Sequence, residues 1–173
     1  IFLGGCMVLL GWALDIQTFK SVVPGFVSME ANAALCFVFL GTSLWLLQIK
    51  RRENNLCQRL ALVCGFIVFG TGILSLLEFM FGWDLGIDQF LFKDLSGDIQ
   101  TPYLGRMAFN TAINFTIIGA ALFLLASKTK NRCLITQVLI ILEGVLPFLA
   151  FVGHLYNAPP LFIGPFSTSM TLL

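Results

Sequence analysis

The residues in this chain whose types could do chemistry are few, and most sit where water does not reach. Glu143 lies about ten residues into an apolar run, near the middle of a membrane-crossing length. A carboxylate at the bilayer centre costs at least about 2.5 kcal/mol on the mildest scale. Glu143 should therefore face other helices, where it can take the neutral form. Pro147 follows one helical turn later. Its ring clashes with the Glu143 carbonyl and removes a backbone donor, which predicts a kink with freed backbone groups. Two readings stay open: a proton, cation or ligand site, or a neutral acid hydrogen-bonded to the kink.

Glu78 and His154 fall near the outer ends of two other apolar stretches. His154 is the single histidine. Zinc needs three or four suitable ligands, and no second histidine exists to help supply them or to hold haem between two imidazoles. A hydrogen-bonding or pH-sensitive role suits His154 better. Arg106 precedes Met107 at the outer start of a span. It can meet an anionic ligand or headgroup, pair with Glu78, Asp84 or Asp88, or snorkel to the interface. Asn32 and Asn110 sit about one turn inside their spans, where an amide can bond across helices for about 0.6–2 kcal/mol. Asp84, Asp88, Asp94 and Asp98 do not follow the calcium-loop pattern. Hydrolase, zinc-protease, phosphate-loop and dinucleotide signatures are absent as well. No enzymatic activity, cofactor or metal is expected of this chain. Glu78, Arg106, Asn110, His154 and Glu143 are instead the candidate ligand-binding residues.

These groups are carried by a membrane composition. Hydrophobic residues make up 58% and charged residues 11%, with a mean hydropathy of +0.92. Soluble domains are nearer half apolar and a quarter charged. The net charge of +1 and the lack of a basic patch argue against nucleic acid. The five cysteines include no C-x-x-C pair and read as small hydrophobes. The expected fold is an all-α integral membrane protein. Spans are predicted at 1–16, 29–49, 60–82, 107–127 and 134–156, with a sixth starting near 166. The loops at 50–59 and 128–133 hold seven of the ten Lys and Arg residues, so they should face the cytoplasm. The loops at 17–28, 83–106 and 157–165 should face outward. Within the middle one, Ile87–Phe92 can lie flat on the outer leaflet.

The chain also repeats itself. Pro24–Leu47 and Pro102–Leu125 share, without a gap, the frame P-x-x-x-x-M-x-x-N-x-A-x-x-F-x-x-x-G-x-x-L-x-L-L. Proline suits the start of a helix. Ala34, Phe37, Gly41 and Leu44 form one helical stripe, as do Ala112, Phe115, Gly119 and Leu122. Small residues on such a stripe let neighbouring backbones approach closely. The odd-numbered spans align more weakly through Leu9–Asp15, Leu76–Gly82 and Phe151–Asn157. A third copy of the frame begins at Pro165 with Met170 in place. The prediction is three hairpin repeats, about 1–49, 60–127 and 134–173, making one membrane domain with the first and last helices cut short. The repeat would bring Trp12, Met29, Glu78, Met107 and His154 to one outer level, next to helix N-termini that favour anions. An outward-facing cavity is expected there.

The strings LGIDQFLF (Leu85–Phe92), LGRMAFNTAINF (Leu104–Phe115) and GHLYNAPPLF (Gly153–Phe162) resemble the N-terminal membrane regions of bacterial sensor proteins, the MASE-type group. The resemblance covers most of the chain from Leu60 onward. It implies a sensory input domain of the bacterial inner membrane. The lipid bilayer and a cytoplasmic output domain (PAS, histidine kinase or diguanylate cyclase) would be its partners, and homodimer formation is left open. Two rivals remain: a small transporter or channel, and a subunit binding quinone, haem or lipid.

Overall fold

Lipid offers no hydrogen bonds to a peptide backbone, so apolar segments of this length close their own bonds as helices. The computed structural model describes residues 1–20, 29–48, 55–83, 86, 91, 107–127 and 132–156. They form α1 (Phe2–Ala13), α2 (Gln17–Lys20), α3 (Ala31–Gln48), α4 (Asn55–Phe81), α5 (Phe109–Ala126) and α6 (Arg132–Leu155), with no strand among the described residues. Four of these, α3 to α6, are long and apolar enough to cross a membrane. This is a membrane-embedded helical protein. Exposed aromatics mark the helix ends: Trp45 near the end of α3, Trp83 just after α4 and Tyr156 just after α6. Such residues prefer the interface between lipid and water.

Several boundaries differ from expectation. The first span was expected over 1–16, but α1 ends at Ala13 and is 12 residues long. Asp15 takes a left-handed conformation with φ of 55°, and the Ile16 N–H donates to the Gly11 carbonyl at 2.9 Å. This is a Schellman closure, in which a short polar residue tolerates the left-handed position. The chain then turns into α2. Lys20 falls within the expected outer loop at 17–28, yet it is only 5% exposed. Its ammonium pairs with Asp15 at 2.5 Å and lies over the Trp12 ring, 4.4 Å from the centroid. At the opposite end of the bundle, α4 begins at Asn55, so the latter half of the expected 50–59 loop is already helix. Helix α6 continues through Pro147. The Glu143 carbonyl consequently has no intrahelical N–H to accept.

The tightest packing follows the glycines. A Cβ placed on Gly5 of α1 would stand 2.7 Å from the Ala34 carbonyl oxygen and 2.9 Å from Val38 Cγ2 on α3. A Cβ on Gly72 of α4 would meet the Ala112 carbonyl oxygen at 2.9 Å and Thr116 Oγ1 at 2.6 Å on α5. In return, Gly41 of α3 receives Phe2 of α1, and Gly119 of α5 receives Phe69 of α4. The shift that carries Gly5 to Gly72 also carries Phe2 to Phe69. The shift that carries Ala34 to Ala112 also carries Gly41 to Gly119 and Val38 to Thr116. Both pairs of helices thus interlock at matching positions. In lipid, such close backbone approach supplies the van der Waals contact that holds helices together.

A central cluster joins the pairs. Ala33 and Cys36 of α3, Val68 of α4, and Ala112 and Phe115 of α5 pack together with Met107 just before α5. Phe37 meets Phe115 edge to face at 5.2 Å. Helix α6 packs only against α5 among the described elements. Around most of its circumference it exposes apolar side chains, from Leu134 and Ile135 to Phe148 and Leu149, as a lipid-facing helix does.

Candidate functional site

Buried polar residues gather along the seam between α3 and α4. The Ser43 hydroxyl donates to the Ala61 carbonyl at 3.1 Å. The Cys36 thiol lies within hydrogen-bonding reach of Thr71, whose hydroxyl donates to the Ile67 carbonyl at 2.9 Å. Helical spacing puts Asn32 on the same stripe as Cys36, and puts Ser75 and Glu78 on the same stripe as Thr71. All three are enclosed: Asn32 is 5%, Ser75 1% and Glu78 0% exposed. The seam therefore grows more polar toward the start of α3 and the end of α4, finishing on a carboxyl group. A charged or polar group at that depth survives only when protein surrounds it.

The α4–α5 interface, the most extensive in the fold, fixes the level of Asn110. Phe79 and Phe109 meet edge to face at 5.6 Å, so Glu78 and Asn110, their chain neighbours, sit at one height on adjacent helices. Met107 lies beside them and is 1% exposed. On the α1 side the Trp12 indole N–H donates to the Met29 carbonyl at 2.9 Å, and the Met29 N–H donates to the Lys20 carbonyl at 2.9 Å. Trp12, Met29, Glu78 and Met107 thus share one end of the bundle, and protein encloses Glu78 completely.

The remaining candidates stand apart. Arg106 lies outside the described residues, as do Pro24, Pro102, Pro165, Met170, Asp84, Asp88, Asp94, Asp98, most of Ile87–Phe92 and the expected sixth span. His154 is within α6, but its side chain is outside the described set. Glu143 is partly buried, in the middle of α6 and away from the cluster around Glu78. Of the five candidates, then, the fold brings Glu78 and Asn110 to one level and leaves Glu143 at a second location. No group of three or more His, Cys, Asp or Glu able to hold a metal occurs among the described residues. Hydroxyls, amides, a thiol and a carboxyl on facing helices offer hydrogen-bond exchange between helices rather than covalent chemistry.

Sequence reasoning missed Ser75, Thr136 and Lys20. Ser75 and Thr136 are ordinary hydroxyls in apolar runs, and only their position on buried stripes distinguishes them. Lys20 could have been found through its spacing from Asp15 across a turn. At the opposite end of the bundle three contacts gather at the end of α5. Gln58 Nε2 donates to the Ala126 carbonyl at 2.6 Å, Ser127 Oγ to the Leu124 carbonyl at 2.7 Å, and Arg132 Nη1 to the Ser127 carbonyl at 2.8 Å. These satisfy carbonyls that a helix terminus leaves without partners. No protein-family model matches the chain, and no curated protein or solved structure does.

Proposed function

We infer that this chain is a sensory input domain of a bacterial inner membrane, and that it acts by repacking helices rather than by catalysis. The observation that carries the reading is the uneven attachment of the helices. Two pairs, α1 with α3 and α4 with α5, interlock through glycines against backbone. Helix α6 lies on one neighbour among the described elements. A tightly keyed body beside a lightly held helix is an arrangement in which a modest stimulus can bias one packing over another. The stimulus must differ in its affinity for the two packings. The resemblance of Leu85–Phe92, Leu104–Phe115 and Gly153–Phe162 to MASE-type regions points the same way.

In this reading the architecture is three hairpins and six spans, with the 50–59 and 128–133 loops in the cytoplasm. The matched contacts of Gly5 with Gly72, and of Gly41 with Gly119, support the first two hairpins. A PAS, kinase or cyclase domain follows in the cytoplasm and receives the shift. Sequencing the gene beyond the codon for Leu173 tests the proposal. A signalling domain in frame is expected, and a stop codon close behind a sixth span would overturn it. Topology has its own test. Cys133, exposed at the start of α6, should react with an impermeant maleimide in inside-out vesicles and not in intact spheroplasts.

A further inference from the structure

The seam between α5 and α6 holds a polar pair that the cluster around Glu78 does not explain. From Arg132 to Val145 of α6 the buried and partly buried residues are Arg132, Thr136, Leu139 and Glu143, spaced four, three and four apart, while their neighbours are exposed. That spacing is one helical stripe, and α5 is the only described element it can face. On α5, Ala112, Thr116 and Gly119 meet α4, and Phe115 meets α3. The stripe left over runs through Asn110, Asn114, Ile117 and Ala121. Ala121 is 2% exposed, so a neighbour covers this stripe too. The Asn114 side-chain oxygen is buried and accepts no hydrogen bond.

Depth matches as well. The ends of the two helices are tied by Arg132 Nη1 on the Ser127 carbonyl. Counting from that tie at 1.5 Å per residue, Glu143 lies about 16 Å along α6 and Asn114 about 20 Å back along α5, within one helical turn of each other. The internal repeat gives the same pairing. Between α3 and α4, Cys36 packs with Val68, and Ser43 bonds to Ala61. The shift from α3 to α5 carries Cys36 to Asn114 and Ser43 to Ala121. The shift that carries Leu76 to Phe151 carries Val68 to Glu143 and Ala61 to Thr136. Ala121 and Thr136 are both buried, as this requires.

We propose that Asn114 and Glu143 form a proton-binding site in the middle of the α5–α6 seam. An amide oxygen only accepts, and an ionised carboxylate only accepts, so they cannot bond to each other. A carboxylic acid has one O–H to donate. With its proton, Glu143 donates to Asn114 Oδ1 and holds α6 on α5. When the proton leaves to water, an acceptor faces an acceptor, the charge is stranded in lipid, and α6 is released. Helix α5 carries no titratable residue between Phe109 and Ala126 to compensate. On α6 itself, Arg132 is engaged with Ser127 at one end, and His154 is about three turns away at the other. The pairing depends on the α5–α6 contact and the repeat, not on the sensory reading, which stands whichever way the test falls.

Infrared difference spectroscopy of the chain in lipid vesicles, between neutral and strongly alkaline pH, provides the test. A protonated carboxyl band is expected at neutral pH that vanishes in Glu143→Gln and moves to higher frequency in Asn114→Leu, where its hydrogen bond is gone. If Asn114→Leu does not fold, Asn114→Ala gives the same reading with a smaller side chain. Glu143→Gln keeps a donor and should hold α6 in place at every pH. A Glu143 that shows only ionised carboxylate bands at neutral pH overturns the proposal, as does a band unmoved by the Asn114 substitutions.

Discussion

The α4–α5 and α5–α6 interfaces share a helix and solve the same problem differently. Between α4 and α5, Gly72 and Gly119 bring backbones within reach of one another, and a methyl group at either position would strike main-chain atoms. Between α5 and α6 the contact is looser: Gly144 of α6 has nothing within 4 Å of where a Cβ would stand. What α6 presents to α5 instead is a hydroxyl, a leucine and a carboxyl. In lipid there is no hydrophobic force to press helices together, so shape and hydrogen bonds must do it. The first interface relies on shape, which is permanent. The second relies on polar groups, which depend on protonation and can be undone.

The contrast can be broken most directly at the glycines. Gly72→Ala and Gly119→Ala should each destabilise the protein by about 1–3 kcal/mol, the usual cost of overpacking. Unfolding by a denaturing detergent in mixed micelles reads this, and a loss below the error of the method would mean the close approach is not needed. Next, Ser43→Ala should cost about 0.6–1.7 kcal/mol by removing the bond to the Ala61 carbonyl. Thr136→Val should go the other way, because the Thr136 hydroxyl is buried without a partner. A gain of up to about 1 kcal/mol is expected when such a group is replaced by an isosteric apolar one. A clear loss there would show that Thr136 is bonded across the α5–α6 seam. Asp15→Asn should cost under about 1 kcal/mol, since the Asp15 side chain is 88% exposed and water screens its pairing with Lys20. The smallest effect belongs to Gly144→Ala, within about 0.5 kcal/mol of no change. If it destabilised as Gly119→Ala does, the two interfaces would not differ in kind.

The glycines also show what could be read from the chain alone. Gly41 and Gly119 stand in the gapless frame, and their packing role was legible from the small residues around them. Gly5 and Gly72 were not singled out, although the alignment of Leu9–Asp15 with Leu76–Gly82 places them in register. The odd-numbered helices share too few identities for a single glycine to draw notice. Asn114 escaped for a related reason. Its counterpart in the frame is Cys36, so Asn114 falls outside the shared residues of the repeat and drew no notice. Glu78 and Glu143 were legible because a carboxyl in an apolar run is costly wherever it points. Which helix each faces was not: α4 is apolar nearly all round, and the polar stripe of α6 does not say which neighbour covers it. The first span was overdrawn for a local reason: nothing in an apolar run announces that Asp15 will close it with a left-handed turn.

The two glycine notches have a mechanical consequence. Gly41 has an aromatic residue one turn away on each side, Phe37 and Trp45, and Gly119 has Phe115 and Phe123. A helix that slid one turn along its partner would carry Phe2 or Phe69 off glycine and onto an aromatic ring. Piston motion within either pair is therefore blocked, while tilting about the notch keeps the contact intact. Each glycine acts as a fulcrum. Paired spin labels at the two ends of α4 and α5 would report this as one end-to-end distance growing while the other shrinks, and a common shift of both along the membrane normal would rule it out.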